Sequence, residues 1–299
     1  MKKILIVLGS IMAGLFIVLS LADRSDYKVE KQLWRIQRQF DAIAADPKVV
    51  PARKFDSVAG KYQKLIHAYP RSPLVPKIYI QIAKIYVLRE DWPLARENFQ
   101  KALSAAPKTD TGGEALFGIG KTYEKEGRWT EAVETYREVM HGFPETEIGL
   151  NIPLYIAEYY LQQGSAPAYQ EALQDAVDFY RTIARDQSKS SRQFAALGKL
   201  VLAYMALERW QEAVDTLSGI LLDYASEEHL SVQRAGLIVK AINNVSIMKL
   251  GDYNRPVAVY EKFMEINPEH PLNPVLRDMI KALKQLEKRE GLEQPVPGP

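Results

Sequence analysis

The sequence predicts an all-α solenoid of helix–turn–helix repeats set behind an N-terminal apolar helix, and three observations predict it. Tryptophan recurs in one local context, at Asp91-Trp92-Pro93-Leu94-Ala95, Arg128-Trp129-Thr130-Glu131-Ala132 and Arg209-Trp210-Gln211-Glu212-Ala213, with alanine three places later. Trp92 and Trp129 stand 37 residues apart, as do Pro70, Pro107 and Pro144, and a period of that size belongs to stacked supersecondary units. Between these landmarks the apolar residues follow i, i+3, i+4, i+7, as at Tyr79, Ile82, Ala83 and Tyr86, at Leu116, Ile119, Gly120 and Tyr123, and at Leu197, Leu200, Val201 and Tyr204. That is the period of an amphipathic helix, and no run of alternation argues for a strand.

The N-terminal element comes first. Lys2 and Lys3 precede Ile4 to Ala22, 19 residues without a charge, and Asp23, Arg24 and Asp26 end the run. As a helix it spans roughly 28 Å, close to the hydrocarbon thickness of a bilayer. Lysines on its N-terminal side predict an N-in, C-out orientation. Two fates stay open: an uncleaved anchor, or a signal peptide cleaved after Ser20-Leu21-Ala22, where small residues stand. Ser10 and Gly14 form a small-xxx-small pair for helix pairing in the membrane. Residues 23–30 read as a short polar tether.

Each repeat then reads as two helices with a break at Glu90, Gly127, Gly164, Glu208 or Gly251. Small residues at Ala83 and Gly120 on first helices, and at Ala95, Ala132, Ala176 and Ala213 on second helices, let the pair approach closely. Tyr86, Tyr123, Tyr160 and Tyr204 fill the wedge beneath the next repeat, and Phe99, Tyr136, Tyr180 and Leu217 do so from the second helix. Proline ends that helix, because it lacks the N–H and disfavours helix in the residue before it. Val275, Met279, Leu283 and Leu286 give a capping helix one apolar stripe, with Arg277, Lys281, Lys284, Glu287 and Lys288 on its other side, as a terminal repeat requires.

These residues resemble the tetratricopeptide repeat (TPR). Residues 113–146 supply Leu116, Ile119, Gly120, Tyr123, Gly127, Trp129, Ala132, Tyr136 and Pro144; residues 76–109 supply Tyr79, Ile82, Ala83, Tyr86, Trp92, Ala95, Phe99, Ala102 and Pro107. Residues 194–227 match but end in Ala225 instead of proline. Residues 150–190 keep Ala157, Tyr160, Gly164, Ala176 and Tyr180, with about seven extra residues in the turn or the helices. Residues 231–270 keep Gly251, Tyr253, Tyr260 and Pro268, with Pro256 in an alanine slot and Asn243-Asn244 where Leu-Gly belongs. Residues 31–70 keep only their second helix clearly. The resemblance implies a right-handed superhelix of TPR type, with six repeats over 31–270; the rest reads from composition and pattern, 1–22 as a signal anchor or signal peptide, 23–30 as a tether, 271–290 as the cap and 291–299 as a disordered, Pro- and Gly-rich tail.

Composition bounds the function. Lys plus Arg number 39 against 37 Asp plus Glu, so no field of one sign points to nucleic acid. There is no cysteine, which excludes thiol catalysis, disulfides, thiolate metal sites and an N-terminal lipoprotein anchor. His67, His141, His229 and His270 have no metal-ligand spacing. Gly118-Ile119-Gly120-Lys121-Thr122 lacks the glycine that a phosphate loop needs at position 115, where alanine stands, and it lacks a preceding strand. The acidic groups Glu227-Glu228 and Glu124/Glu126 read as solvated charge on helix faces. No catalytic residue, cofactor or metal is assigned.

The TPR resemblance places a binding groove on the concave face, lined by first helices. The positions the packing slots leave free are Ile80, Lys84 and Val87; Phe117, Lys121 and Glu124; Leu154, Glu158 and Leu161; Gly198, Leu202 and Met205. Apolar anchors and lysines together suit a peptide or partner helix. A TPR subclass that clamps C-terminal carboxylates is excluded, since Ile80 and Phe117 stand where its cation belongs and Lys84 and Lys121 where its asparagine belongs. Tyr69-Pro70-Arg71-Ser72 and the segment after it are similar to bacterial envelope TPR proteins, the outer-membrane assembly subunits and the periplasmic cell-division coordinators. The resemblance implies a protein-interaction scaffold in the cell envelope, anchored in the inner membrane with its solenoid in the periplasm. The alternatives are a soluble periplasmic coordinator of cell-wall or outer-membrane enzymes, and the regulatory domain of an enzyme complex.

Overall fold

The helices stop where the period breaks. Glu90, Gly127, Gly164, Glu208 and Gly251 have φ of 58°, 77°, 69°, 56° and 62°, the left-handed conformation that closes helix C-termini. At the first four, the next N–H reaches back to the carbonyl of a tyrosine: Asp91 to Tyr86 at 2.9 Å, Arg128 to Tyr123 at 2.9 Å, Ser165 to Tyr160 at 3.1 Å and Arg209 to Tyr204 at 2.8 Å. A Cβ in this region is strained by roughly 1 kcal/mol, which glycine avoids. Glu90→Gly and Glu208→Gly are therefore each expected to raise stability, by up to about 1 kcal/mol in a denaturant titration.

The computed structural model describes residues 27–185, 189–224 and 230–293. The segment 1–22 with Ser10 and Gly14, Ala225, Glu227-Glu228, His229 and residues 294–299 lie outside the described residues. All regular structure among the described residues is helical. Helix α1 covers 27–44, and a short 3-10 turn at Pro47–Val49 leads to α2 (Ala52–Ala68). There follow α3 (Val75–Leu88), α4 (Trp92–Ala105), α5 (Asp110–Lys125), α6 (Trp129–Gly142), α7 (Glu147–Gln162), α8 (Ala166–Ala184), α9 (Ser191–Ala206), α10 (Trp210–Asp223), α11 (Val232–Leu250), α12 (Asn254–Ile266) and α13 (Asn273–Glu293).

Second helices end alike. Tyr69, Ala106, Phe143 and Asn267, each before a proline, have φ between −126° and −144° and ψ between 45° and 68°. The first helices α5, α7, α9 and α11 also start alike, at hydroxyl caps the sequence reading did not single out. Thr109 and Thr146 Oγ1 accept from the N–H of Gly112 (3.3 Å) and Gly149 (3.0 Å), and donate to the carbonyls of Ala106 (3.0 Å) and Phe143 (2.8 Å). Ser190 and Ser231 accept from the N–H of Gln193 and Arg234 at 3.2 and 3.3 Å. Such caps satisfy helix N–H groups that have no partner within the helix.

The chain forms two compact units, one ending at Ile152 and the other starting at Pro153. In the first, α3 packs on α2, α4 and α5, and α5 on α4 and α6. In the second, α9 lies between α8 and α10, α10 meets α11 and α12, and α13 covers α12. The small-residue slots Ala83, Ala95, Ala132, Ala157, Ala176 and Ala213 are buried, as are Phe99, Tyr136, Tyr180, Leu217 and Tyr260 opposite them. A Cβ on Gly120 would lie 2.5 Å from Cε1 of Tyr136.

Three readings are corrected, and one that the sequence left open is decided. Residues 27–30 are not tether but the first turn of α1, because Val29, Leu33, Ile36, Phe40 and Ile43 continue a helical stripe onto the core formed with α2 and α3. The cap starts at Asn273, whose Nδ2 donates to the carbonyls of Asn267 (2.7 Å) and Pro268 (2.8 Å), and it runs to Glu293. A helix tolerates Gly291 at a cost of about 1 kcal/mol, and proline first appears at Pro295, so 291–293 belong to the helix and not to the tail. The extra residues near 165–171 lengthen α8 to 19 residues, against 14 in α4, α6 and α10; the turn at Gly164 is unchanged. Of the wedge tyrosines only Tyr204 is buried; Tyr86, Tyr123 and Tyr160 are half-buried. Guanidinium groups stack on these rings, buried or not: Arg89 lies 5.9 Å from the Tyr86 ring, Arg96 and Arg128 lie 4.5 and 4.7 Å from that of Tyr123, and Arg181 and Arg209 lie 5.5 and 4.9 Å from that of Tyr204. These are cation–π contacts.

In the last repeat Pro256 falls in the first turn of α12, where no helical N–H is lost. Asn243 takes a leucine slot and stays satisfied, its Oδ1 2.9 Å from the Tyr260 hydroxyl.

Candidate functional site

In the first unit α3 and α5 lie side by side, and between them opens a cleft of about 430 Å3. Lys84 and Val87 enter it from α3, Phe117 and Lys121 from α5. Phe99 of α4 forms the floor because Gly118 leaves it uncovered; a Cβ there would sit 2.5 Å from Phe99 Cε1. Ile148, at the start of α7, closes one end. The walls are therefore Val87, Phe99, Phe117 and Ile148, and the Phe117 ring stands 5.6 Å from that of Tyr136.

Charge is confined to the rim, where three lysines (Lys84, Lys121, Lys125) face one carboxylate, Glu114. Lys84 pairs with Glu114 at 2.9 Å and Lys121 with Glu124 at 2.8 Å. The other oxygen of Glu124 accepts from the Tyr136 hydroxyl at 2.7 Å. Glu124 is thus fixed between a lysine and a core tyrosine and helps aim Lys121. Partly exposed pairs of this kind contribute little stability, so a partner's carboxylate can compete for the lysines at small cost.

Four of the positions foreseen for the groove, Lys84, Val87, Phe117 and Lys121, meet in this cleft. Ile80 does not: it is 1% exposed, because α3 is enclosed by α2, α4 and α5 and an apolar side chain on that flank goes into the packing. In the second unit Leu154 is half-buried and Glu158 exposed along α7, with Leu161 55% exposed. On α9, Gly198 is exposed, Leu202 is 55% exposed, and Met205 packs against the unit's core. Sequence reasoning missed Glu114, Gly118 and Lys125. Continuing the i+3/i+4 series from Lys121 in both directions reaches all three.

A larger concavity of about 640 Å3 in the second unit includes Gln193, Asp215 and Tyr224. These groups bond to the protein itself: Tyr224 donates to Gln193 at 2.6 Å, and Asp215 pairs with Arg255 at 2.6 Å. The groups with displaced protonation fall into two kinds: surface partners in hydrogen-bonded pairs, where its own backbone N–H together with Arg128 holds Glu131, and Arg209 holds Glu212, below the usual carboxylate range, and side chains buried in the helix packing. Burial raises the hydroxyls of Tyr62, Tyr180 and Tyr260 above the usual phenol range, with the charge of Asp41 adding at Tyr62. Burial against Phe263 lowers His270. No cluster of His, Asp and Glu among the described residues has the arrangement of a metal site.

The family comparison falls on the same segment as the cleft. Residues 74–144 match the family model of the tetratricopeptide repeat. Among solved structures the chain is similar to BtubC (BKLC) from P. vanneervenii, at 14% identity over 88% of this chain and 94% of that one, with a TM-score of 0.43. It is also similar to a tetratricopeptide repeat protein from Parabacteroides merdae, at 13% identity over 86% and 98%, with a TM-score of 0.36. No curated protein matches. The family match, the repeated turns and the paired helices agree over residues 74–144, and that segment carries tetratricopeptide repeats.

Proposed function

We propose that the chain is a non-enzymatic protein-interaction scaffold that takes a partner's peptide or helix into the α3–α5 cleft. One observation carries this: within the repeat segment, an apolar floor of Phe99 and Phe117 lies open between helices and is ringed by Lys84, Lys121 and Lys125. An apolar anchor with an acidic neighbour fits that arrangement. The scaffold works in the bacterial envelope, with residues 4–22 holding it to the inner membrane and the repeats in the periplasm. The apolar run behind Lys2 and Lys3 supports this placement. Ser20-Leu21-Ala22 favours a second reading, export with cleavage and a soluble periplasmic coordinator. Release by osmotic shock supports the second reading; a need for detergent supports the first.

The test is crosslinking and pull-down from native membranes with wild type and Phe117→Ala. The substituted protein should melt within a few degrees of wild type. Its partner yield should fall about thirty-fold, the effect of losing a 2 kcal/mol anchor. Equal yields would remove the cleft from the proposal.

A further inference from the structure

We propose that the outer face of α1 lies flat on an anionic lipid surface. The inner stripe of this helix is spoken for: Val29, Ile36 and Ile43 are buried in the core with α2 and α3. Diametrically opposite, Tyr27, Lys31, Trp34 and Arg38 follow one another at spacings of 4, 3 and 4 residues, a single stripe on a helix. Lys28 and Arg35 flank the stripe on one side. Tyr27 is 64% and Trp34 59% exposed, and the Arg38 guanidinium stands 5.1 Å from the Trp34 ring. Among the described residues no carboxylate forms an ion pair with any of the four cations. Glu30 and Asp41 flank the stripe on its other side, so the face carries four cations against two carboxylates.

This composition matches one surface. Tyr and Trp place an apolar ring at headgroup depth with the polar end in water. Lys and Arg lay their stems along the apolar layer and extend their charges to phosphate oxygens. Each basic residue near an anionic leaflet adds about five-fold in affinity, and four act together here. The length of chain before α1 fits as well. Residues 23–26, between the apolar run and the helix, reach at most about 14 Å, so a bilayer-embedded 4–22 would hold the start of α1 beside the headgroups. That clause rests on the anchor reading; the charge and aromatic pattern does not.

Position 42 decides between lying flat and projecting. Ala42 is exposed at the edge of this face, beside the concavity between α1 and α2, about 22 Å along the helix from residue 27. The chain has no cysteine, so Ala42→Cys carries a single fluorophore. The full chain is mixed with phosphatidylcholine vesicles, with and without phosphatidylglycerol, that bear a headgroup quencher. The expected result is several-fold stronger quenching with phosphatidylglycerol, lost in Lys31→Glu/Arg38→Glu and in high salt. Circular dichroism checks that this surface double substitution keeps its helices. A chain that stays with the vesicles through an alkaline wash, yet shows quenching that ignores lipid charge, would overturn the proposal and leave the anchor standing. A chain that washes off but binds phosphatidylglycerol vesicles in a charge-dependent way would support the proposal and remove the anchor. Absence of binding by either route would overturn both.

Discussion

Gly120→Leu is expected to lower the melting temperature of the chain by roughly 10 °C, the equivalent of about 3 kcal/mol. Gly120 sits on α5 where the helix crosses α6, and even a bare Cβ would meet Tyr136 at 2.5 Å from Cε1 and 2.7 Å from Cδ1. Tyr136 cannot swing aside, since it is 0% exposed and its hydroxyl is bonded to Glu124. A branched side chain at this crossing therefore separates the two helices or expels the ring, and a core packed to crystal density absorbs neither. Gly60→Ala is the control: nothing lies within 4 Å of the added Cβ, and alanine in mid-helix should stabilise α2 by up to about 1 kcal/mol. Thermal melts of the two variants beside wild type check the pair. If Gly120→Leu melts with wild type, the register of the α5–α6 pairing is wrong.

The second large effect is expected at Gly112→Ala, and the obstacle there is backbone. A Cβ on Gly112 would stand 2.2 Å from the carbonyl oxygen of Ala106, which the tight entry into α5 brings against the helix. A side chain can rotate away, but this carbonyl is held by the Thr109 hydroxyl, and Thr109 also caps the Gly112 N–H. Relieving the clash therefore dismantles the cap and shifts the first turn of α5, at a cost of about 3 kcal/mol. Hydrogen exchange should show the loss at the start of α5 before the rest of the unit. Gly149, 37 residues on, stands 2.1 Å from the Phe143 oxygen in the same way. A normal exchange pattern in Gly112→Ala would mean that the entry loop is softer than its hydrogen bonds suggest.

The repeat was legible because its largest signals are chemical extremes. Prolines mark where second helices end, left-handed residues mark where first helices end, and Trp with Ala three places on marks where second helices begin. What was hidden has a physical reason in each case. Glycines 112 and 149 carry no side chain to betray their role, and only the folded entry loop reveals the carbonyl beside them. The start of α1 was masked by charge, since Lys28 and Glu30 read as a polar tether until Val29 is placed in the core. The groove residues were half legible. Periodicity gave the stripe of α5 but not its rotation, so Glu124 was taken for a lining residue while Glu114 and Lys125, one turn to either side, were passed over. Ile80 failed for a different reason: position on a wheel says which way a side chain points, not how many neighbours enclose it.

The uniform geometry of the left-handed turns makes the chain a set of interchangeable bricks. Because the turn keeps its shape with glycine or glutamate, and because α8 took up extra residues without disturbing the turn before it, a cut at such a residue leaves two ends of identical conformation. A copy of the 37 residues from Asp91 to Gly127, spliced in after Gly127, would enter and leave along the same backbone path. It would present one more first helix without asking any existing neighbour to change its backbone, so the length of the array is adjustable independently of its joints.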